Sequence, residues 1–83
     1  MVPKINRFIK FRSIQGTFYV MKNRQAYKIT GIGEDIWNLI DGNNTFDDIV
    51  KEISGKYSQP TDVISNDINS FLNELEKREL ITL

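Results

Sequence analysis

The sequence predicts an α+β fold of winged helix-turn-helix type, in which a three-stranded antiparallel sheet is followed by a three-helix bundle. A length of 83 residues, with 40% hydrophobic and 27% charged residues, suits one small globular domain. Hydrophobic residues alternate before residue 30 and then recur with a helical period. We therefore expect a single domain over residues 1–83, with strands within residues 5–30 and helices within residues 31–79.

Three segments in the first thirty residues have the composition of β-strands. Residues 7–12 mix apolar and basic side chains, residues 18–21 form a β-prone run, and residues 26–29 follow the polar turn at 22–25. Sequential pairing of these strands gives an antiparallel meander. In that meander the third strand, from about Gln25 to Ile29, is an edge strand.

The third strand shows the alternation of a strand with one buried face. Tyr27 and Ile29 fall on the same face and are expected to point into the core, whereas Lys28 points outward. The outward N–H and C=O groups of an edge strand are free to pair with another chain. The alternative is an edge protected from pairing by its own charged side chains.

The first helix is predicted from Thr30, as its N-cap, to a stop at Asp41-Gly42. Its apolar stripe consists of Ile32, Ile36, Trp37, Leu39 and Ile40. We expect Trp37 to pack in the core with this stripe instead of stacking on a ligand. Gly31 and Gly33 each lower helix propensity by about 1 kcal/mol, and the pattern alone does not explain them.

The second helix is predicted over residues 46–57. Thr45 and Asp48 have the spacing of a capping box, with Asp in place of the usual Glu. Phe46, Ile49, Val50, Ile53 and Tyr57 then repeat at intervals of three and four residues, which is typical of an amphipathic helix.

The third helix is predicted to begin with Thr61 as its N-cap, with Asp62 in the first turn, and to end near Lys77 or Arg78. At about 100° per residue, the helix divides into two faces. The core face holds Ile64, Ile68, Phe71, Leu72 and Leu75, and the neighbouring flank holds Val63, Asp67, Ser70 and Glu74. Phe71 straddles the boundary between them.

Composition excludes most catalytic templates. The chain has no cysteine and no histidine, so it lacks a thiolate nucleophile, a disulfide and the commonest metal ligands. Gly31-Ile32-Gly33 is not a phosphate loop, because Ile36 stands where a third glycine is required and no lysine follows. We therefore expect no catalytic residues, no metal and no cofactor.

No apolar run is long enough to span a membrane, and the first residues lack the apolar segment of a signal peptide. The sequence is thus interpreted as a cytoplasmic protein without a membrane partner.

The net charge is zero, but the charges are separated along the chain. Residues 1–30 hold seven basic and no acidic residues, whereas residues 31–83 hold eleven acidic and four basic ones, a net charge of −7. Winged-helix proteins commonly bind DNA, which requires basic residues on the helix that enters the groove. Residues 61–79 hold five acidic and two basic residues, so we expect no nucleic-acid partner, although a DNA-binding regulator that uses the basic strands stays an alternative.

The order of helical segments resembles that of the PqqD-like family. The resemblance rests on Ile36-Trp37-Asn38-Leu39-Ile40-Asp41-Gly42, on Thr45-Phe46-Asp47-Asp48-Ile49-Val50, and on Asp67-Ile68-Asn69-Ser70-Phe71-Leu72-Asn73-Glu74-Leu75. One departure is Thr30, where the family often has Asn. The resemblance implies a non-catalytic recognition element that holds the leader of a ribosomal precursor peptide while separate enzymes modify its core.

The resemblance also implies where the leader binds, which is between the third strand and the third helix, by β-augmentation. The peptide-binding residues are then expected to be Arg24, Gln25, Ala26, Tyr27, Lys28, Ile29, Val63, Ile64, Asp67, Ser70, Phe71 and Glu74. Asp67 matches the acidic position of the family pattern and can accept hydrogen bonds from a leader.

Because the chain starts at Met1 and ends soon after the third helix, we expect a stand-alone recognition protein. Its Ile, Asn and Lys content is typical of AT-rich bacterial genomes and favours lasso peptide biosynthesis. There the resemblance implies a leader with a Tyr-x-x-Pro element, a leader peptidase and a cyclase as partners. A PqqD-type chaperone for a radical SAM peptide-modifying enzyme is the alternative within the family.

Overall fold

A computed structural model describes all residues, 1–83, and contains five strands and three helices. The elements are β1 (Lys4–Ile5), β2 (Lys10–Ile14), β3 (Thr17–Lys22), β4 (Gln25–Ile29), α1 (Ile32–Asn38), α2 (Phe46–Tyr57), α3 (Thr61–Lys77) and β5 (Ile81–Thr82). Strands β2, β3 and β4 form an antiparallel sheet in that order, and β1 pairs with β5. The predicted order of a three-stranded sheet followed by three helices is confirmed. No helix is long and apolar enough to cross a membrane.

Two tight hairpins set the register of the three-stranded sheet. Ile14 pairs with Thr17 around Gln15-Gly16, and both turn residues have positive φ, as two-residue hairpin turns favour. Lys22 pairs with Gln25 around Asn23-Arg24. Strand β4 occupies residues 25–29 at one edge of the sheet, as predicted.

The prediction for the first strand is wrong in its bounds. Residues 7 and 8 lie in a turn, where Phe8 has a φ of 64°, and the strand that pairs with β3 is β2, at residues 10–14. The preceding residues form β1, whose partner β5 lies at the other end of the chain. A two-residue strand with a distant partner leaves no periodic signal, so the sequence pattern could not separate β1 from β2.

The start of α1 differs from the prediction, because Thr30 does not cap the helix. Gly31 is the N-cap residue, with a φ of 59° and a ψ of −129°, and no side chain caps this end. The Thr30 carbonyl, instead of its hydroxyl, accepts a hydrogen bond from the Gly33 N–H at 3.2 Å. The left-handed backbone at Gly31 thus requires glycine, which explains one of the two glycines here.

Helix α1 also ends earlier than Asp41-Gly42. The N–H groups of Leu39 and Ile40 bond to carbonyls three residues back, which closes the helix with a tight turn. Gly42 has a φ of 82° but lies in the following loop, where the Asp41 carboxylate accepts the N–H groups of Asn43 and Asn44, each at 2.8 Å.

Helix α2 begins as predicted, with a capping box in which the Thr45 hydroxyl and the Asp48 carboxylate each accept the other residue's N–H. In α3, however, Thr61 is the first helical residue and Pro60 is the N-cap. The Pro60 carbonyl accepts from the Ile64 N–H at 3.0 Å, and proline suits this place because its fixed φ costs nothing there.

Helix α3 ends at Lys77, as predicted. Glu79 has a φ of 60°, its N–H bonds to the Glu76 carbonyl at 2.9 Å, and the Leu80 N–H bonds to the Leu75 carbonyl at 3.0 Å. This is a Schellman motif. It turns the chain back so that Leu80 is buried and β5 can pair with β1.

The core lies between one face of the sheet and the three helices. Its members are Phe18, Val20, Ile29, Ile36, Trp37, Ile40, Ile49, Val50, Ile53, Ile64, Ile68, Leu72, Leu75, Leu80 and Ile81. Trp37 is 1% exposed, with its ring centroid 6.1 Å from that of Phe11 in an edge-to-face arrangement, so the prediction that it packs in the core is confirmed. Its indole N–H has no hydrogen-bond partner.

Leu72 on α3 is fully buried, and its truncation should leave a cavity in the core. We expect Leu72→Ala to lower the free energy of unfolding by about 2 to 5 kcal/mol. Chemical denaturation measures this loss. Asn73→Ala, at an exposed position on the same helix, is the control and should change stability little.

Asp35 on α1 contacts two side chains of α2. Lys56 donates a hydrogen bond to Asp35 Oδ1 at 2.8 Å, and the Tyr57 hydroxyl donates to Asp35 Oδ2. The Lys56 hydrogen bond, followed by that of Tyr57, holds the pKa of Asp35 below its ordinary value of 3.8. A carboxylate with a lowered pKa in the folded state contributes stability above its unfolded pKa and loses that contribution as pH falls.

We expect Asp35→Asn to be less stable than the parent protein at neutral pH and to approach it in stability as the pH falls below the ordinary carboxyl pKa of 3.8 and the parent carboxylate protonates. Denaturation midpoints across this pH range test the expectation. Glu52→Gln, which removes an exposed acid of α2 outside any ion pair, controls for general charge effects. A stability difference that does not vary with pH would contradict the role of the Asp35 charge.

Candidate functional site

Strand β4 and helix α3 form the two walls of a groove. Three hollows follow one another along it, beginning at the Asn23-Arg24 turn and ending at the N-terminal end of α1. The middle and last hollows have volumes of about 390 and 280 Å³, and six lining residues of each are hydrophobic. We refer to this feature as the β4–α3 groove.

The β4 wall offers a free strand edge. β4 pairs only with β3, and none of the backbone hydrogen bonds outside the regular elements involves residues 25–29. Bonded and non-bonded positions alternate along an antiparallel pair. Because the two-residue turn closes on the Lys22–Gln25 pair, we infer that Gln25, Tyr27 and Ile29 bond to β3 and that the backbone groups of Ala26 and Lys28 point outward.

The α3 wall follows a heptad-like spacing of three and four residues. We name this row of groove-lining side chains the α3 seam. Its members are Ile64, Asp67, Phe71, Glu74 and Arg78. Val63 and Ser70, which the sequence analysis placed on the binding flank, line none of the three hollows and are exposed. The groove-facing side of α3 is therefore rotated toward the core from the predicted flank.

Phe71 separates the two apolar hollows. The ring is half-buried, lines both hollows and lies against Ile29 and Gly33. A Cβ atom on Gly33 would lie 3.1 Å from Ile29 Cγ2 and 3.2 Å from two ring atoms of Phe71, closer than about nine in ten Cβ contacts in proteins. The absence of a side chain at Gly33 thus allows the Phe71 ring to sit between α1 and β4, which explains the second glycine.

Arg78 closes the end of the groove near the Asn23-Arg24 turn. Its guanidinium lies 4.9 Å from the centre of the Tyr27 ring, a cation–π distance, and its Nε donates to Glu74 Oε1 at 3.0 Å. Because Glu74 is paired, Asp67 is the acidic residue of the seam that forms no ion pair. Lys28 also lines the hollow that contains Asp67, but its pairing with Tyr19 puts its side chain on the outer face of the sheet.

The structure brings ten of the twelve predicted site residues together, leaving out Val63 and Ser70. Eight further residues line the two apolar hollows without having been predicted. They are Thr30, Ile32, Gly33, Ile36, Ile68, Leu75, Arg78 and Leu80. The unexplained glycine at position 33 was a signal for a close approach, whereas nothing in the local pattern pointed to Arg78 or Leu80.

A larger depression of about 710 Å³ lies along α2, but its lining differs in kind. It is shallow, and none of its six lining residues, among them Asp48, Lys51 and Glu52, is hydrophobic. Ligand sites are mostly apolar with a few polar groups. The β4–α3 groove has that character and, in addition, unpaired backbone groups. No group of three or more acidic residues is arranged to hold a metal ion.

Two solved structures share this architecture. One, described as TbiB1 in complex with the TbiA(beta) leader peptide, matches with a TM-score of 0.84 and 22% identity over 94% of this chain and 93% of that chain. The other is the PqqD truncation of PqqCD from Methylobacterium extorquens, described as a functional stand-alone recognition element for ribosomally synthesized and post-translationally modified peptides (RiPPs). It matches with a TM-score of 0.84 and 19% identity over 99% of this chain and 89% of that chain.

Sequence comparison agrees with the structural likeness. A PqqA binding protein of Gluconobacter oxydans (strain 621H) is 24% identical over 68 residues, which cover 82% of this chain and 71% of that protein. The family described as coenzyme PQQ synthesis protein D matches residues 18–81, from the start of β3 into β5. The chain therefore belongs to the PqqD family.

Proposed function

We propose that the protein is a non-catalytic RiPP recognition element that captures the leader of a precursor peptide in the β4–α3 groove. The observation that carries this proposal is the free backbone edge of β4 facing an apolar, pocketed wall of α3. The likeness to a protein solved with a leader peptide, and to one described as a PqqA binding protein, supports it.

In this proposal the leader adds a fourth strand beside β4. The outward backbone groups of Ala26 and Lys28 bond to the peptide main chain, which supplies affinity that does not depend on the leader sequence. Side chains on alternate peptide positions, about 7 Å apart, reach the two apolar hollows on either side of Phe71. Asp67 and Lys28 then favour a bound peptide with complementary charges, and this fixes its register.

We further propose that the captured leader belongs to a lasso peptide pathway, and that a leader peptidase and a cyclase act on the presented precursor. The Ile, Asn and Lys content of the chain supports this choice of pathway. The protein itself then contributes position and effective concentration to the reaction, and no bond is made or broken by its side chains.

A two-dimensional amide NMR titration of the full chain with a synthetic leader that carries Tyr-x-x-Pro tests the proposal. We expect shifts at residues 24–30 and along the α3 seam. A second leader with Ala in place of Tyr and Pro is the matched control. Equal binding of both leaders would overturn the lasso assignment while leaving leader capture intact, and silence with both would overturn leader capture by this groove.

The edge-strand mechanism predicts different effects of two substitutions at Lys28. Lys28→Pro removes the outward N–H, whereas Lys28→Ala removes only the side chain. If the lost main-chain hydrogen bond contributes about 0.5 to 1.5 kcal/mol, the proline should weaken leader binding by about 2- to 13-fold relative to the alanine variant. Isothermal titration measures the affinities, and the Trp37 emission confirms folding. A folded Lys28→Pro variant with parental affinity would contradict strand addition.

The seam on α3 predicts that Asp67→Ala weakens leader binding with little loss of stability, since Asp67 is exposed and forms no ion pair. A lost hydrogen bond to a charged group corresponds to about 1.5 to 3 kcal/mol of binding free energy. Ser70→Ala, one turn along on the excluded flank, is the matched control and should bind like the parent protein. Equal losses for both variants would place the peptide on the flank predicted from sequence instead of on the seam.

A further inference from the structure

The opposite edge of the sheet, at β2, carries a second exposed surface. Every residue of β2 is exposed, and three of the six exposed large hydrophobic side chains of the protein lie on or just before this strand. Phe8 is 91% exposed, Phe11 51% and Ile14 44%. The pairing with β3 puts Phe11 on the same sheet face as the buried Val20, and puts Lys10, Arg12 and Ile14 on the opposite face. We name the free edge of β2, with these side chains on its two faces and with Arg7 and Phe8 before it, the β2 edge patch.

The β2 edge patch carries only positive charges, and no acidic side chain forms an ion pair with them. Arg7, Lys10 and Arg12 are exposed, and none of the ion pairs in the structure includes them. No acidic residue occurs in residues 1–30. A partner for this patch should therefore bring carboxylates together with apolar side chains.

The backbone of β2 is also available for pairing. β2 bonds only to β3, and no other backbone hydrogen bond involves residues 7–14. Edge strands of soluble proteins are normally protected from pairing by charges, bulges or short length. Here the charges alternate with exposed apolar residues, so the edge repels other basic strands but remains suitable for an acidic one.

Phe8 is the least protected part of the patch. It has a φ of 64°, a conformation that a bulky side chain adopts at a cost, and its nearly complete exposure means that burial in the core does not offset this cost. A strained and exposed aromatic ring at the start of an open edge is suited to be an anchor for a binding partner.

The positions of the basic residues in β2 disfavour a second copy of this chain as the binding partner. Pairing the full length of β2 with itself in antiparallel fashion places Arg12 opposite Arg12 and brings both Lys10 residues to the same face. Like charges directly opposite each other destabilise a strand pair. A polypeptide segment is favoured over nucleic acid, because the unpaired backbone edge and the exposed apolar side chains both suit a strand.

We propose that the β2 edge patch docks an acidic, apolar-bearing strand of a partner protein, and, resting on the proposed function, that this partner is a processing enzyme. Strands lie about 4.8 Å apart, so the two free edges of the sheet are separated by about 10 Å. A leader added to β4 and an enzyme strand added to β2 would extend the same sheet from its two edges. Both can be bound at once, and the precursor is thereby held next to the enzyme.

The test uses the full chain and, as probe, a synthetic peptide of alternating Glu and Val, with an alternating Lys and Val peptide as control. NMR titration should show shifts at residues 7–14 with the Glu peptide alone. Two variants probe the patch: Phe8→Asn, which removes the ring and suits the positive φ, and Arg12→Glu, which reverses a charge. Lys51→Glu, on the exposed face of α2, is the matched control for charge reversal.

We expect Phe8→Asn to lower affinity for the Glu peptide at least fivefold while the melting temperature stays the same or rises, which a merely structural role for the ring would not produce. Arg12→Glu should abolish binding, and Lys51→Glu should not. Binding of the Glu peptide elsewhere, or parental affinity in both patch variants, would overturn the proposal. Self-association in sedimentation that Arg12→Glu abolishes would identify a second copy of the chain as the occupant and overturn the proposal. Binding of duplex DNA or of phosphatidylglycerol vesicles that Arg12→Glu abolishes would overturn it in favour of nucleic acid or a membrane.

The same variants separate this inference from leader capture. Phe8→Asn and Arg12→Glu should bind the Tyr-x-x-Pro leader like the parent protein, and Lys28→Pro should bind the Glu peptide like the parent protein. If the parent protein binds the Glu peptide but not the leader, the proposed function is wrong and the docking site for an acidic strand remains supported. If the parent protein binds the leader but not the Glu peptide, the docking site is wrong and leader capture remains supported.

Discussion

The Phe71 ring packs against Ile29 and Gly33 at the middle of the groove, where it lines both apolar hollows. Ile29 is the last residue of β4, Gly33 lies in the first turn of α1, and Phe71 lies midway along α3, so this contact joins the β4–α1 connection to a helix that is distant in sequence. A methyl group on Gly33 would require Ile29 and Phe71 to move by a few tenths of an ångström. Since interiors are packed as densely as organic crystals, a small change here moves α3 relative to the strand edge.

The helical half of the fold could be predicted because its signals are local. The capping box of Thr45 and Asp48 fixes the start of α2 by itself, and the apolar face of α3 follows from residues three and four apart. The caps at Thr30 and Thr61 could not be predicted in the same way. At the start of α1, Gly31 is the N-cap in a left-handed conformation, and no side chain caps the helix. At the start of α3, Pro60 is the N-cap and its fixed φ suits that position.

The candidate site was predictable only to the extent that it depends on the same local signals. The alternation in β4 identified Ile29 as a core residue and Lys28 as an outward one, and both lie in the groove. The side of α3 that faces the groove depends instead on contacts between residues far apart in sequence, such as that of Phe71 with Gly33. Val63 and Ser70 line neither apolar hollow, whereas Arg78 and Leu80, which follow the end of α3, do.

The pairing of β1 with β5 places the two chain ends side by side, with Lys4 opposite Thr82. Asn6 reinforces this junction by bonding to the Glu79 carbonyl at 2.7 Å. Any polypeptide fused to either end must therefore leave the fold from the same corner, and a short peptide linker could join the ends into a circle. Circular permutants that are opened at an exposed turn should accordingly keep the core and both sheet edges.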